Sequence, residues 1–227
     1  MRFNLGLFSS ILILSSIIMS CNQTPAENKE IEKEDSKNEQ TVQEDFSVLI
    51  INGSPRVEGN TARYLDKVFE GAESVNVKAI QVNLNEKDVK GCQGCMGCRE
   101  TEGCTYKDDF DQLYKDILKA DIIVVGTPIY FGNMTGQCKS FIDRLFCFWS
   151  SPASDLMEGK KAAAIITYAE AGEDTYQAAL DELSGDLKAV GFELIFTDAV
   201  NSTWEIDDID SQPETLKRAF EFGASLK

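Results

Sequence analysis

The chain has 227 residues, 43% hydrophobic and 26% charged, with 22 Lys and Arg against 38 Asp and Glu for a formal net charge of −16. No basic run interrupts that balance, so a phosphate backbone would be repelled and nucleic acid is not an expected partner. Histidine is absent, which removes Ser-His-Asp and Cys-His catalysis and every His-ligated zinc site; any chemistry must come from Cys, Asp, Glu, Tyr or a cofactor.

Behind Met1 and Arg2, residues 5–19 are mostly apolar, too short a run to span a hydrocarbon core of roughly 30 Å as a helix. Residues 1–20 therefore read as a secretory signal peptide. The run ends in "SIIMSC", which resembles the lipobox of bacterial lipoproteins. That resemblance implies a lipidated Cys21 as mature N-terminus and a lipid-anchored, extracytoplasmic place in the bacterial cell envelope. Residues 22–45 hold eight acids, three lysines and almost no apolar side chain. Such a stretch cannot bury enough surface to offset its ordering entropy, so 21–45 reads as the lipidated cysteine and a disordered acidic tether.

The remainder, 46–227, reads as one domain. "FSVLII" (46–51) is a buried strand ending at "NGSPRVEGNT", and a helix is expected from about residue 61 to 72. A strand follows in 75–84, a cysteine-rich loop, a helix over 110–120 and an apolar strand over 121–128. Then come one helix over 136–148, a strand over 161–168, a helix over 175–190, a strand over 192–200 and a last helix from about Pro213. Continuous apolar strands alternating with helices predict an α/β fold, a doubly wound five-stranded parallel sheet with helices on both faces. Ligands in such sheets sit at the carboxyl ends of the strands, which directs attention to loops 52–60, 84–109, 128–135 and 168–174.

In the first of these, Gly53 and Gly59 permit tight turns, Ser54 and Thr61 offer hydroxyls, Asn60 an amide and Arg56 a charge. With the following helix N-terminus they could hold a terminal phosphate, or could simply cap the helix. The loop is neither a Walker A sequence nor G-x-G-x-x-G.

"GSPRVEGNT" after the first strand, "GTPIYFGNMTGQCKSFIDR" after the third and a cysteine loop ending in Lys-Asp-Asp together resemble the flavodoxin-like NAD(P)H-dependent FMN reductases. The resemblance is strong over 47–144 and weaker beyond. It implies that Ser54, Arg56, Asn60 and Thr61 bind the FMN phosphate. It also implies that Pro128, Ile129, Tyr130, Phe131, Gly132 and Asn133 lie along the isoalloxazine, where a tight turn with aromatic faces and free N–H groups suits a flat ring. In the "TYAEAG" loop (167–172) only Gly172 and Glu170 remain of the glycine-rich turn that many relatives carry there. The family often forms homodimers or homotetramers, and the apolar run 145–157 could supply that contact or belong to the core.

Cys92, Cys95, Cys98 and Cys104 place four of seven cysteines in thirteen positions. Cys-x2-Cys-x2-Cys-x5-Cys resembles the compact motif of the iron–sulfur flavoproteins, a branch of that family, and implies a [4Fe–4S] cluster. Export of an unfolded chain to an oxidising compartment favours disulfides or free thiols instead, and a four-thiolate zinc site is a third option. Cys138 and Cys147 are expected on opposite faces of one helix as packing residues, and Asp108-Asp109 is expected to cap a helix.

The expected activity is an FMN-dependent oxidoreductase carrying electrons from NAD(P)H, a redox protein or a quinol to a quinone, flavin or similar acceptor. Two alternatives stand beside it: an electron carrier with FMN and an iron–sulfur cluster, and a membrane-tethered binding module without flavin.

Overall fold

The computed structural model describes residues 47–149 and 151–227; the signal peptide, Cys21 and the acidic tether lie outside the described residues. Five parallel strands form the sheet: β1 (Ser47–Asn52), β2 (Lys78–Asn83), β3 (Ile122–Tyr130), β5 (Lys161–Thr167) and β6 (Glu193–Val200). Their order is β2-β1-β3-β5-β6, and a two-residue strand β4 (Asn133–Met134) pairs antiparallel with the end of β3. The expected doubly wound sheet is therefore present, with a small hairpin added to it.

Side chains alternate across each strand, and this divides the core in two. Val48 and Ile50 of β1 pack with Tyr64, Leu65, Val68 and Ala72 of α1 (Asn60–Ser74) and with Ala219 and Phe222 of α6 (Pro213–Ser225). Leu49 and Ile51 face the other way. They join a cluster formed with α2 (Phe110–Lys119), α3 (Gly136–Arg144) and α5 (Gln177–Val190). The inner strands are buried throughout their apolar runs, whereas β2 and β6 alternate with exposed positions, as sheet edges should.

The helix expected over 136–148 is two. α3 stops at Arg144, and α4 (Phe146–Trp149) begins after Leu145. Leu145 N–H bonds Ile142 and Phe148 N–H bonds Leu145, three-residue steps that tighten the chain at the break. This rotates Cys147 out of the register that a continuous helix would give it. Both are packing thiols as expected: Cys138 lies against Gly53, pushed up to about 12 by burial, and Cys147 is buried in the same core cluster while also lining the cavity of the cysteine loop.

The strand order leaves a crevice. β1 lies between β2 and β3, so the chain leaves β1 to one side and returns on the other, and the loops after β1 and β3 part above that junction. Gly53 N–H donates to Gly126 C=O at 2.7 Å there.

Behind the sheet, α1 and α6 touch backbone to backbone. A Cβ on Gly223 would lie 2.0 Å from Val68 C=O, and one on Gly71 would lie 2.1 Å from Phe220 C=O. We expect Gly223→Ala to cost about 1–3 kcal/mol by forcing the helices apart, read as a lower urea midpoint with an unchanged denaturant slope.

Candidate functional site

At the carboxyl ends of β1, β3 and β5 lies a cavity of about 290 Å3. Ser54, Arg56, Asn60 and Thr61 form one wall, and Pro128, Ile129 and Tyr130 form the second. Seven of the ten residues expected at a cofactor therefore meet in one place. Ser54 is buried; its N–H donates to Asn52 Oδ1 and its Oγ accepts from Arg56 N–H, which leaves its hydroxyl proton free to donate. Thr61 Oγ1 shares a hydrogen bond with Thr167 Oγ1 at 2.7 Å, so α1 is tied to the end of β5. The N–H groups of the first turn of α1 have no partner within the helix, and Arg56 is exposed with no ion pair among the described residues. Oriented donors and one loose cation around a helix N-terminus make an anion site.

Asn60 lines the cavity, but its amide is already engaged. Nδ2 donates to Thr203 C=O and Glu205 C=O, and Oδ1 accepts from Ile209 N–H. The side chain thus fastens the segment after β6 to α1 instead of offering a hydrogen bond to a ligand. Its phosphate-binding part is limited to its backbone.

Phe131, Gly132 and Asn133 do not line the cavity. β3 runs on to Tyr130 and pairs with Asn133, so Phe131 and Gly132 form the turn of a hairpin, both at positive φ (50° and 85°). Phe131 projects fully into solvent. Asn133 donates to Glu182 and accepts from Met134 N–H, away from the cavity. The sequence signal, a tight turn, was right, but a two-residue hairpin throws its tip outward.

A third wall was foreseen only in part, at the 167–172 loop. Thr203, Trp204 and Glu205 come from the segment after β6, and Thr167, Tyr168 and Ala169 from the end of β5. Thr203 N–H and Oγ1 both donate to Tyr168 C=O at 3.0 Å, which joins the two. Glu170 and Gly172 sit beyond the wall, held by the hydroxyls of Tyr176 and Tyr168 respectively. For the 203–205 part, the one that sequence reasoning missed, the signal was "NSTWE", a polar stretch with a tryptophan at the carboxyl end of a strand.

The four clustered cysteines line a second, smaller cavity of about 20 Å3 together with Cys147, Tyr106 and Arg144. All are free thiols. Among the described residues no three Cys, Asp or Glu side chains stand close enough to hold a single metal ion. Their environments differ. Gly97 N–H and the Thr105 hydroxyl hold the exposed Cys95 thiol below its usual range, whereas burial, with Cys104 beside it, pushes Cys98 up. Burial raises Cys147 to about 12, with Cys104 and Cys98 adding to the shift.

Asp108 and Asp109 are not simple caps. Asp109 Oδ2 accepts from Asp88 N–H and Asp108 Oδ2 accepts from Lys90 N–H, so both acids close the base of the cysteine loop. Asp108 also bonds Phe110 N–H, the one cap-like contact, and forms a 2.6 Å ion pair with Arg144. Arg144 is 1% exposed. It donates to Lys90 C=O and Tyr106 C=O, and lies over the Tyr106 and Phe110 rings at 5.3 and 4.6 Å.

An open parallel sheet with helices on both faces and a cavity at its switch point defines a flavodoxin-like domain. The chain belongs to the NADPH-dependent FMN reductase family, whose pattern matches residues 46–197. It is 32% identical to an iron-sulfur flavoprotein of Archaeoglobus fulgidus over 54% of each chain. It is 35% identical to one of Methanocaldococcus jannaschii, over 44% of this chain and 51% of that protein. The chain thus spans about half the length of the curated relatives it matches. Among solved structures, an NAD(P)H:quinone oxidoreductase from Methanothermobacter marburgensis has a TM-score of 0.65 at 16% identity, covering 80% of this chain and 96% of that one, which shows a shared fold.

The ion pair sets an acid limit. Burial alone would raise the Asp108 carboxyl, but Arg144 and the N–H groups of Lys90 and Phe110 outweigh it and hold it below the usual carboxylate range. A depressed carboxyl stabilises the fold fully above its unfolded value of about 3.9, and that stabilisation disappears as pH falls through the folded value. Asp108→Asn should flatten the loss of stability below about pH 4 and cost about 3–5 kcal/mol at pH 7 by leaving Arg144 uncompensated, measured by urea unfolding from pH 3 to 7.

Proposed function

We propose that the protein is an FMN-dependent oxidoreductase that moves electrons from NAD(P)H or another donor to a quinone, flavin or similar acceptor. The observation that carries this reading is the convergence of the Ser54–Thr61 loop and the Pro128–Tyr130 strand end on one cavity at the switch point. The residues fit the cofactor. The Ser54 hydroxyl and the first-turn N–H groups of α1 would hold its phosphate, and Arg56 would neutralise it. The end of β3, with Tyr130 half exposed beside it, would orient the flat ring, and Trp204 would shield its outer side. When bound, FMN supplies the hydride and electron chemistry, which accounts for a redox site built without histidine.

The cysteine cavity supports a [4Fe–4S] cluster in the same domain, the second part of the proposal. All four cysteines line one cavity, and four thiolates are the complement that a [4Fe–4S] cluster takes. To admit a cluster, the exposed limb bearing Cys92 and Cys95 would have to move outward. Gly94, at φ 62° and with open space where a Cβ would stand, lies between them. The names of the similar iron-sulfur flavoproteins favour the same reading. The lipid anchor on Cys21 and an envelope location belong to the proposal on the strength of "SIIMSC" alone.

The test is a flavin titration and an anaerobic spectrum. Protein purified without air should show flavin absorption and bind FMN with quenching of its fluorescence. Ser54→Ala should weaken binding about tenfold, the loss of one charge-assisted hydrogen bond of about 1.5 kcal/mol. A wild-type protein that takes up no FMN would overturn the proposal. Iron and sulfide near four each per chain would support the cluster; zinc, or paired thiols without iron, would remove that part and leave the flavoenzyme.

A further inference from the structure

Arg144 has one feature that the fold does not use. Nη1 serves Asp108 and Lys90 C=O and Nη2 serves Tyr106 C=O, yet the buried Nε has no hydrogen-bond partner. A buried N–H without an acceptor is rare in folded proteins, and it calls for an explanation such as an unseen ligand. Arg144 lines the cavity enclosed by Cys92, Cys95, Cys98, Cys104 and Cys147, and the Cys104 thiol lies near enough to act on its guanidinium by charge and by weak hydrogen bonding. The ion pair with Asp108, the carbonyls of both limbs of the loop and two ring faces fix the guanidinium in place before any ligand arrives.

We propose that Arg144 donates its Nε–H to a sulfur of the iron–sulfur cluster held by the four cysteines and thereby raises the cluster's reduction potential. The inference rests on the cluster reading above. One-electron reduction adds negative charge to the sulfurs, so a fixed cation and N–H donor favour the reduced form. Tuning by hydrogen bonds from an arginine whose own position is set by Asp108 makes the loop closure and the redox level one device. A purely structural arginine would need its Nη groups and no more.

The experiment is a redox titration, with dithionite as reductant, of anaerobically purified wild type and Arg144→Lys, followed by visible absorption and electron paramagnetic resonance. Iron and sulfide analysis and circular dichroism accompany it. Lysine keeps the charge and removes Nε–H. The variant should retain iron and sulfide, and its ratio of reduced to oxidised cluster at a given potential should fall about tenfold, a shift of about 59 mV for one electron. An unchanged potential in a folded, iron-loaded variant would overturn the inference while leaving the cluster reading intact; an iron-free wild type would overturn both. A second measurement needs no change at position 144. In Arg99→Gln protein, which lacks the other arginine of the loop, pulsed resonance of the reduced cluster after 15N-arginine labelling should show a nitrogen coupling. Its absence would sink the proposal even if Arg144→Lys does not fold.

Discussion

The buried ion pair between Arg144 and Asp108 is the interaction on which the architecture of the chemical end depends. Residues 88–109 are poor in regular structure, with one 3-10 turn at Gly97–Arg99, and nothing in their own sequence would give them a single shape. Asp108 and Asp109 bind the incoming limb by its N–H groups, and Arg144 binds both limbs by their carbonyls. Taking two charges out of water is unfavourable by itself. Here the pair is hydrogen-bonded on nearly every side and stacked on two rings, which offsets that penalty and leaves one donor, Nε–H, without a partner.

The same helix joins the two sites. α3 is capped by Thr135, whose hydroxyl accepts from Cys138 N–H and donates to Gly53 C=O at 2.6 Å, in the loop after β1. Nine residues later it ends at Arg144, about 13 Å along at 1.5 Å per residue. Cys138 packs so closely against Gly53 that a Cβ there would lie 2.8 Å from the Cys138 Cβ. The helix is thus fixed at its first turn by the loop after β1 and at its last by the cysteine loop. Its early end at Arg144 is the reason that Cys147 can turn back toward the thiols.

Local chemistry made much of the cofactor cavity legible. A strand followed by Gly-Ser-Pro-Arg and a helix start places Ser54 and Thr61 at a carboxyl end wherever the sheet is parallel, and that is where they lie. What escaped were contacts over long sequence separations. Asn60 offers a ligand an amide on paper, but 143 residues later the chain returns to use it. Phe131 sits in "PIYFGN" like a ring-stacking residue, yet a hairpin with Phe at positive φ, an unusual place for a bulky side chain, turns it into solvent. Trp204 had no motif around it.

By itself the sequence determined the alternation of strands and helices, the two-faced core and the residues able to meet a phosphate, because apolar periodicity and glycine-bearing turns act over a few neighbours. It also determined that four thiols share one loop. The tertiary structure alone decided which polar groups were left free: Asn60 engaged, Arg144 Nε without a partner, Cys147 at the edge of the thiol cavity and Asp108 paired with Arg144 as well as capping a helix. Hydrogen-bond satisfaction is settled by what arrives from distant segments, and no local pattern carries that information.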